Sequence, residues 1–458
     1  MQKIDSEKVR YFIIAFIMLS IPGIWTKGPW YARDSVEYIE MYAYLPALYP
    51  LFLRVLRLLF GEVIYVYVAI LIQTLLAAWV VVNLSWLLCD VFRATKIKSI
   101  IFVLLLMTYY KVMLTGVSCN LWILTEGLSY SLFYIFVYYS IIIVKKKEKI
   151  YLNYSKLMIS VVLLILCRKQ FIICIGMVGL YILFLFMAKM IKIRDCANMI
   201  AITLIGMVLS GAVQIGYEQI ADRTNIETFN QLSLGTHLLY YSEIKDADRI
   251  ENEAEEELFL KIHGKMKEGN LGYRRELSWV GGVNNYIDNF SPLYSLLASE
   301  VRGYVEQMGI DDTAEADRIT SQILERQISA LSIHLWEWGW DSLKQLPITM
   351  VRVVAHYYKP LGGYCLVFML MAFIFYIGAN IMLFIWTKKI QPENLFCLLL
   401  MIFTLGNAVI TEMLIRSIMR YVAYSFGLFY ISGLLVFSAL FKVKGRGVLN
   451  KARIDIEK

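Results

Sequence analysis

Residues 62–89 read EVIYVYVAILIQTLLAAWVVVNLSWLLC, a run whose one charged residue, Glu62, stands at its start. A helix needs about 20 mostly apolar residues to cross a bilayer, and this run is long enough. Across the whole chain 59% of the residues are apolar and 14% are aromatic, which exceeds the usual composition of soluble domains. The sequence therefore predicts an all-α polytopic membrane protein.

Ten apolar runs mark the predicted spans. They lie at 9–26, 62–89, 99–116, 121–144, 157–168, 171–188, 197–217, 361–386, 395–414 and 421–441. The stretch 157–188 carries Arg168-Lys169-Gln170 in its middle, and it is too long for one helix yet short for two. We interpret it as a hairpin of short helices with the basic triplet at its tip.

Basic residues set the predicted orientation, because cytoplasmic loops carry an excess of Lys and Arg. With ten spans, the basic clusters share one side of the membrane; they lie at 3–10, 93–98, 145–156, 189–194, 388–389 and 442–458. Both termini are therefore predicted to be cytoplasmic, and we expect a multi-pass protein of a cell membrane.

The chain divides into four predicted parts. They are an N-terminal transmembrane module (1–217) with its first outer loop (26–61), an extracytoplasmic helical domain (218–350), C-terminal transmembrane helices (351–441) and a basic cytoplasmic tail (442–458). The helical domain holds 23 of the 37 acidic residues and 12 of the 45 basic ones. The formal charge of +8 thus belongs to the cytoplasmic loops, where it orients the protein and does not imply nucleic acid.

Metal and nucleotide motifs are absent from the sequence. The seven cysteines and four histidines are scattered without ligand spacing, and there is neither a P-loop nor a G-x-G-x-x-G pattern. A Cys or His metal cluster and an ATP-driven pump are therefore unsupported. A divalent cation stays open as a cofactor, because one carboxylate and a phosphate can hold Mg²⁺.

Carboxylates near the predicted outer face narrow the chemistry. Outside the helical domain they are Asp34, Glu37, Glu40, Glu62, Glu126 and Glu412. Ionisable groups at membrane depth are costly and tend to be functional. This singles out Glu126 and Glu412.

Several cations are predicted at the same face, and two interpretations of them stay open. Arg offers bidentate contacts to phosphate, so the cations would suit an anionic lipid headgroup. Alternatively they pair internally, since Glu412, Arg416 and Arg420 are spaced i, i+4, i+8 on a helix face. Arg168 likewise has two predicted partners, a lipid phosphate or the Glu126 carboxylate.

The first outer loop reads Asp34-Ser35-Val36-Glu37-Tyr38-Ile39 and is followed by LPALYPLFL at 45–53. Together with Leu124-Thr125-Glu126-Gly127, the turn 167–170 and the segment 416–421, this pattern resembles the GT-C fold glycosyltransferase superfamily. The resemblance covers 1–190 and 350–441.

The resemblance implies a GT-C-like bundle in a bacterial plasma membrane and an enzyme that takes a sugar from a polyprenyl-phosphate carrier. The sugar would pass to a glycan, lipid or protein acceptor at the outer face, with inversion of the anomeric centre. It implies Asp34 as the general base. Further site residues that it implies are Arg168, Lys169, Arg416 and Arg420 for the donor phosphate, with Glu37, Tyr38, Tyr49, Glu126 and Glu412 in support.

The segment Tyr49–Phe60 is predicted to be an amphipathic helix, since Pro50 suits a first helical turn. Its leucines with Arg54 and Arg57 suit a helix lying in the membrane interface against lipids, and the alternative is a helix packed on the protein.

Rival functions are a lipid-linked oligosaccharide transporter or flippase, and a polysaccharide polymerase. A transporter would more often show inverted repeats and charges near the bilayer midplane, whereas the acids here gather near one face.

Overall fold

The computed structural model describes residues 6–25, 29–32, 34–112, 119–145, 149–187, 189–221, 228–310, 312–344, 364–389, 391–414 and 423–456. Within these residues every regular element is a helix, which confirms the all-helical class. The longer helices are α1 Ser6–Trp25, α2 Ser35–Ile39, α3 Leu48–Val91, α4 Lys96–Val112, α5 Glu126–Lys145, α6 Ile150–Cys167, α7 Ile173–Met187, α8 Ile193–Ile220, α9 Thr228–Tyr241, α10 Glu253–Glu268, α11 Trp279–Gln307, α12 Thr313–Leu331, α13 at 335–344, α14 Tyr364–Thr387, α15 Pro392–Leu414 and α16 Phe426–Ile456.

Six helices in the described part are long and apolar enough to cross a membrane, as a multi-pass protein requires. They belong to α3, α5, α6, Lys169–Met187, α8 and Pro392–Thr411. Shorter apolar helices at Ile97–Met107, Ile374–Thr387 and Gly427–Val443 overlap three more of the predicted runs. The count of ten spans stays a prediction.

The run 157–188 forms two helices, as its central Arg168 predicts. Helix α6 ends at Cys167, Arg168 has an extended backbone, and a 3-10 turn over Lys169–Ile172 leads into α7. The predicted start at 157 is wrong, because α6 begins at Ile150 and so gains two turns. Lys156 is accommodated inside the helix with its ammonium group 5.8 Å from the ring centre of Tyr139, which keeps the charge near an aromatic face.

Helix α5, by contrast, begins later than predicted, at Glu126 rather than at 121. The backbone of Trp122 pairs with Trp30 in an isolated β-bridge. A residue engaged in this extended pairing cannot also contribute to a helical turn. The later start of α5 therefore results from a contact between segments that are distant in the sequence.

Helix α3 contains a break that ends the predicted amphipathic segment. Gly61 has φ 77° and ψ 172°, which is not helical, and the chain is helical on both sides of it. This backbone region is accessible essentially to glycine alone. Across the break, Arg57 bonds to Glu62 at 2.5 Å.

The segment before Gly61 has two faces. Tyr49, Leu53 and Leu56 are buried against the bundle, whereas Leu58 and Leu59 are about 70% exposed. One side of the helix therefore packs on the protein and the other presents leucines outward. The position of this segment in the membrane interface stays a prediction.

The described helices enclose two main hydrophobic cores. The larger core joins α1 and α3–α8 with α15 and α16, and a separate core joins α9–α12. The predicted boundary at 217 falls inside α8, which continues to Ile220. The predicted tail from 442 likewise continues α16 as helix.

Candidate functional site at the first-loop end

The first loop, residues 29–47, is fastened to the segment that precedes α5. Trp30 donates its backbone N–H to Leu121 at 3.0 Å, and Ile123 donates to Trp30 at 3.1 Å. The rings of Trp30 and Trp122 stack with their centres 6.4 Å apart. We call this side of the bundle the first-loop end.

The other side of the loop is fastened by the last turns of α8. Gln214 accepts from the backbone N–H of Ala47 and donates to the carbonyl of Leu45, both at 3.0 Å. Tyr217, which is buried, donates its hydroxyl proton to the carbonyl of Tyr42 at 2.7 Å. Side chains of a membrane helix thus satisfy backbone groups of the loop, and the loop is held at both ends.

Asp34 stands directly before the short helix α2 and is partly exposed. Its neighbour Ser35 is fully buried and accepts the backbone N–H of Ala32 at 2.9 Å. Because Ser35 closes this turn from inside, the backbone beneath Asp34 is fixed. The side chain of Asp34 does not cap α2.

Glu37 lies on α2 beside Tyr44. Burial raises the pKa of Tyr44, and a hydrogen bond with Glu37 raises it further. The Glu37 carboxylate and the Tyr44 hydroxyl therefore belong to one local hydrogen-bonded pair within the first loop.

Tyr38, also on α2, rests edge-on against the ring of Tyr49 with the centres 5.4 Å apart. The Tyr49 ring is fully buried, and its hydroxyl donates to Gln73 at 3.0 Å. Gln73 in turn donates to the carbonyls of Asn120 at 2.9 Å and Trp122 at 3.2 Å. This chain connects the loop to a buried polar residue in the middle of α3.

Glu126 and Arg168 form an ion pair inside the bundle. Their nearest atoms, Oε1 and Nη1, are 2.9 Å apart, and both residues are buried. Arg168 Nη1 also donates to the Tyr424 hydroxyl at 3.0 Å, which lies 2.7 Å from Ser129 Oγ. Of the two partners predicted for Arg168, the structure shows the carboxylate.

Gly127 explains why Tyr49, Gln73 and Glu126 can lie so close together. A Cβ atom at residue 127 would approach the Gln73 side chain to 2.5 Å, a distance that real Cβ contacts do not reach. Only glycine lets the start of α5 pass the Gln73 amide. We use the name polar cluster for Tyr49, Gln73, Asn120, Glu126, Ser129, Arg168 and Tyr424.

The remaining predicted site residues differ in exposure and in whether the structure describes them. Lys169 is exposed at the start of the 3-10 turn, next to Arg168. Glu412 belongs to the last turn of α15, with its side chain outside the described part of the chain. Arg416 and Arg420 lie outside the described residues. In the described part, no group of three or more His, Cys, Asp or Glu could hold a metal ion.

Sequence reasoning misses four members of the polar cluster: Gln73, Asn120, Ser129 and Tyr424. An analysis of charged residues overlooks neutral side chains, although a Gln within an apolar span is a signal in itself because buried polar groups need partners. The indole N–H of Trp122 belongs with these residues, since it is buried under the loop without a hydrogen-bond partner in the described part.

No protein-family model, curated protein or solved structure matches this chain. What the site can do must therefore be argued from its own residues. The first-loop end offers a partly exposed carboxylate at Asp34, an exposed ammonium group at Lys169, and a buried polar cluster that includes Arg168, the residue before Lys169. That combination suits general-base chemistry on a ligand that carries negative charge.

Proposed function

We propose that this chain is a membrane glycosyltransferase, which moves a sugar from a polyprenyl-phosphate carrier to an acceptor hydroxyl. The observation that carries the proposal is the double anchoring of the first loop. Pre-organised groups are worth more to catalysis than mobile ones, because no ordering is needed during the reaction.

In this mechanism Asp34 takes the proton of the acceptor hydroxyl while its oxygen attacks the anomeric carbon. The bond from that carbon to the phosphate oxygen breaks, and polyprenyl phosphate leaves with the electron pair. One displacement inverts the anomeric centre. General-base assistance of this kind contributes typically ~10²–10⁴-fold to the rate.

Lys169 is the cation that we assign to the departing phosphate, because it is exposed whereas Arg168 is buried against Glu126. Arg168 then acts as a positioning residue that fixes the turn bearing Lys169. Arg416 and Arg420 stay predicted contributors to the same phosphate site. The proposal puts this site at the outer face of a GT-C-like bundle with ten spans.

The test uses the full chain reconstituted in liposomes with radiolabelled polyprenyl-phosphate sugars and a lipid extract from the host cell as acceptor. A glycosyltransferase releases polyprenyl phosphate and moves the label into a new product. A transporter or flippase would instead carry the intact lipid-linked sugar to the other leaflet with no bond broken. Movement without cleavage would contradict the proposal.

A comparison in cells complements the liposome assay. A deletion strain should accumulate one lipid-linked sugar that its parent consumes, and mass spectrometry of the lipid extract identifies the sugar. If the donor were a diphosphate-linked oligosaccharide, the polymerase alternative would replace the proposal.

A further inference from the structure

A cavity of about 410 Å³ opens at the opposite end of the bundle, where α1 and α4 begin and α3 and α5 end. Its volume lies within the range of small-molecule sites. Four charged residues line it, two acids and two lysines: Glu7, Lys8, Asp90 and Lys145. None of the residues that line the cavity belongs to the first-loop site.

Aromatic rings complete the lining. Trp86 and Tyr138 both face the cavity, and Trp86 is supported from behind by the ring of Tyr11 at a centre distance of 4.9 Å. An aromatic face attracts an ammonium group. Trp and Tyr are also the residues that gather at the boundary between bilayer and water.

We propose that this cavity binds the zwitterionic headgroup of a membrane phospholipid, of the ethanolamine type. The lysines suit its phosphate, and Glu7, Asp90 and the two rings suit its ammonium group. The two carboxylates also disfavour a purely anionic headgroup, because they repel its negative charge. This inference does not rest on the proposed function.

Internal pairing is the competing explanation for the charges. Asp90 and Lys145 do form an ion pair, but Asp90 remains 61% exposed and Lys145 35% exposed. An ion pair with this much exposure to water contributes little to stability. Both side chains can therefore turn to a ligand at small cost, and the cavity between them is not needed to hold the helices together.

The binding test uses the purified full chain with added lipid, counted by native mass spectrometry. Palmitoyl-oleoyl phosphatidylethanolamine should remain bound at concentrations where the matching phosphatidylglycerol does not. Lys8→Gln should weaken retention of the ethanolamine lipid about five-fold, the effect of one partly exposed charge contact. The control Lys149→Gln removes an exposed lysine near the same end but outside the cavity, and should bind as the wild type does.

A second variant separates a lost contact from a lost fold. Glu7→Gln should weaken the ethanolamine lipid while phosphatidylglycerol binds as well as before or better, because a repelling carboxylate is gone. A misfolded protein would lose both lipids together. Equal retention of the two lipids by the wild type, or no effect of Lys8→Gln, would overturn the proposal.

A further experiment tests whether the bound headgroup belongs to a lipid or to a soluble molecule. It uses soluble glycerophosphoethanolamine, which carries the same phosphate and ammonium groups without acyl chains. Competition only at much higher concentration than the lipid supports a site that faces the bilayer. Competition at equal concentration would overturn the assignment to a lipid.

Discussion

Asp34 carries the catalytic step in the proposed mechanism, and its surroundings make a clean test feasible. Asp34→Asn keeps the shape of the side chain and removes the proton acceptor. Because asparagine fills the same space as aspartate, the loop should keep its fold while turnover falls about 100-fold or more. The liposome transfer assay measures this, with Glu40→Gln, an exposed acid of the same loop, as the matched control.

An Asp34→Asn protein that kept more than about a tenth of wild-type turnover would remove Asp34 from the role of general base. Equal losses in Asp34→Asn and Glu40→Gln would point to the charge of the loop as a whole.

The Glu126–Arg168 pair predicts a stability effect. Removing one partner leaves a buried charge unpaired, which costs about 3–5 kcal/mol, so both Glu126→Ala and Arg168→Ala should lower the apparent melting temperature in detergent strongly. Arg168→Lys keeps the charge but loses the planar guanidinium group, whose Nη1 contacts both Glu126 and Tyr424, and should fall in between.

Arg57→Ala is the matched control, because its pair with Glu62 has side chains that are 27% and 69% exposed and exposed pairs contribute about 1 kcal/mol or less. Melting temperatures for Glu126→Ala or Arg168→Ala that match that of Arg57→Ala would show that the buried pair is not structural.

At the scale of single residues, the sequence predicts which residues are important more reliably than it predicts which residues contact one another. Glu126 and Arg168 stand out in the sequence because charges in apolar segments are rare. Their pairing depends on how α5, α6 and the approach to α16 pack, which no local pattern encodes. The neutral partners Gln73 and Tyr424 give weaker signals, since tyrosine is common throughout this chain.

At the scale of the helix, Gly61 governs the direction of α3. Its φ of 77° with ψ 172° is a conformation that other residues adopt only with strain of about 1–3 kcal/mol. Gly61→Ala should therefore either destabilise the protein or straighten the helix, and both would detach the Leu48–Phe60 segment from its packed position. Apparent melting temperature and transfer activity should fall together.

The matched control for Gly61 is Gly176→Ala on α7, where a Cβ would meet nothing within 4 Å and the backbone is already helical. Alanine is the better helix former, so this control should leave the melting temperature unchanged or raise it. A Gly61→Ala protein as stable and active as Gly176→Ala would contradict the role of the break.

The existence of helices is predictable from apolar runs, but their ends are not. Composition places α5 and α6 in the right regions of the chain. The start of α5 moves to Glu126 because Trp122 pairs with Trp30, which lies far earlier in the sequence. Helix α6 begins at Ile150 and places Lys156 with its ammonium group 5.8 Å from the ring centre of Tyr139, a contact that forms only in the folded chain.

For the whole molecule, the orientation prediction can be tested by labelling single cysteines in a variant whose native cysteines are replaced. Lys169→Cys and Glu306→Cys, both at exposed positions of Lys169–Ile172 and α11, should react with a membrane-impermeant maleimide from the outside. Lys149→Cys should react only after the membrane is opened, because basic loops stay cytoplasmic.

Labelling of Lys169→Cys and Lys149→Cys from the same side would contradict the topology and the position of the proposed site with it. Labelling of Glu306→Cys from the inside would show that the α9–α12 unit is cytoplasmic.

The anchoring of the first loop also determines when, during synthesis of the chain, the loop can be completed. Ala47 and its partner Gln214 are 167 positions apart, so at about 5–20 residues/s the ribosome needs roughly 10 to 30 s to supply the second half of the contact. During that interval the loop has left the ribosome without the side chains that will hold it. The protein acquires a finished first-loop site only when its eighth helix arrives, and a nascent chain truncated before Gln214 would display the Asp34 motif in an unanchored form.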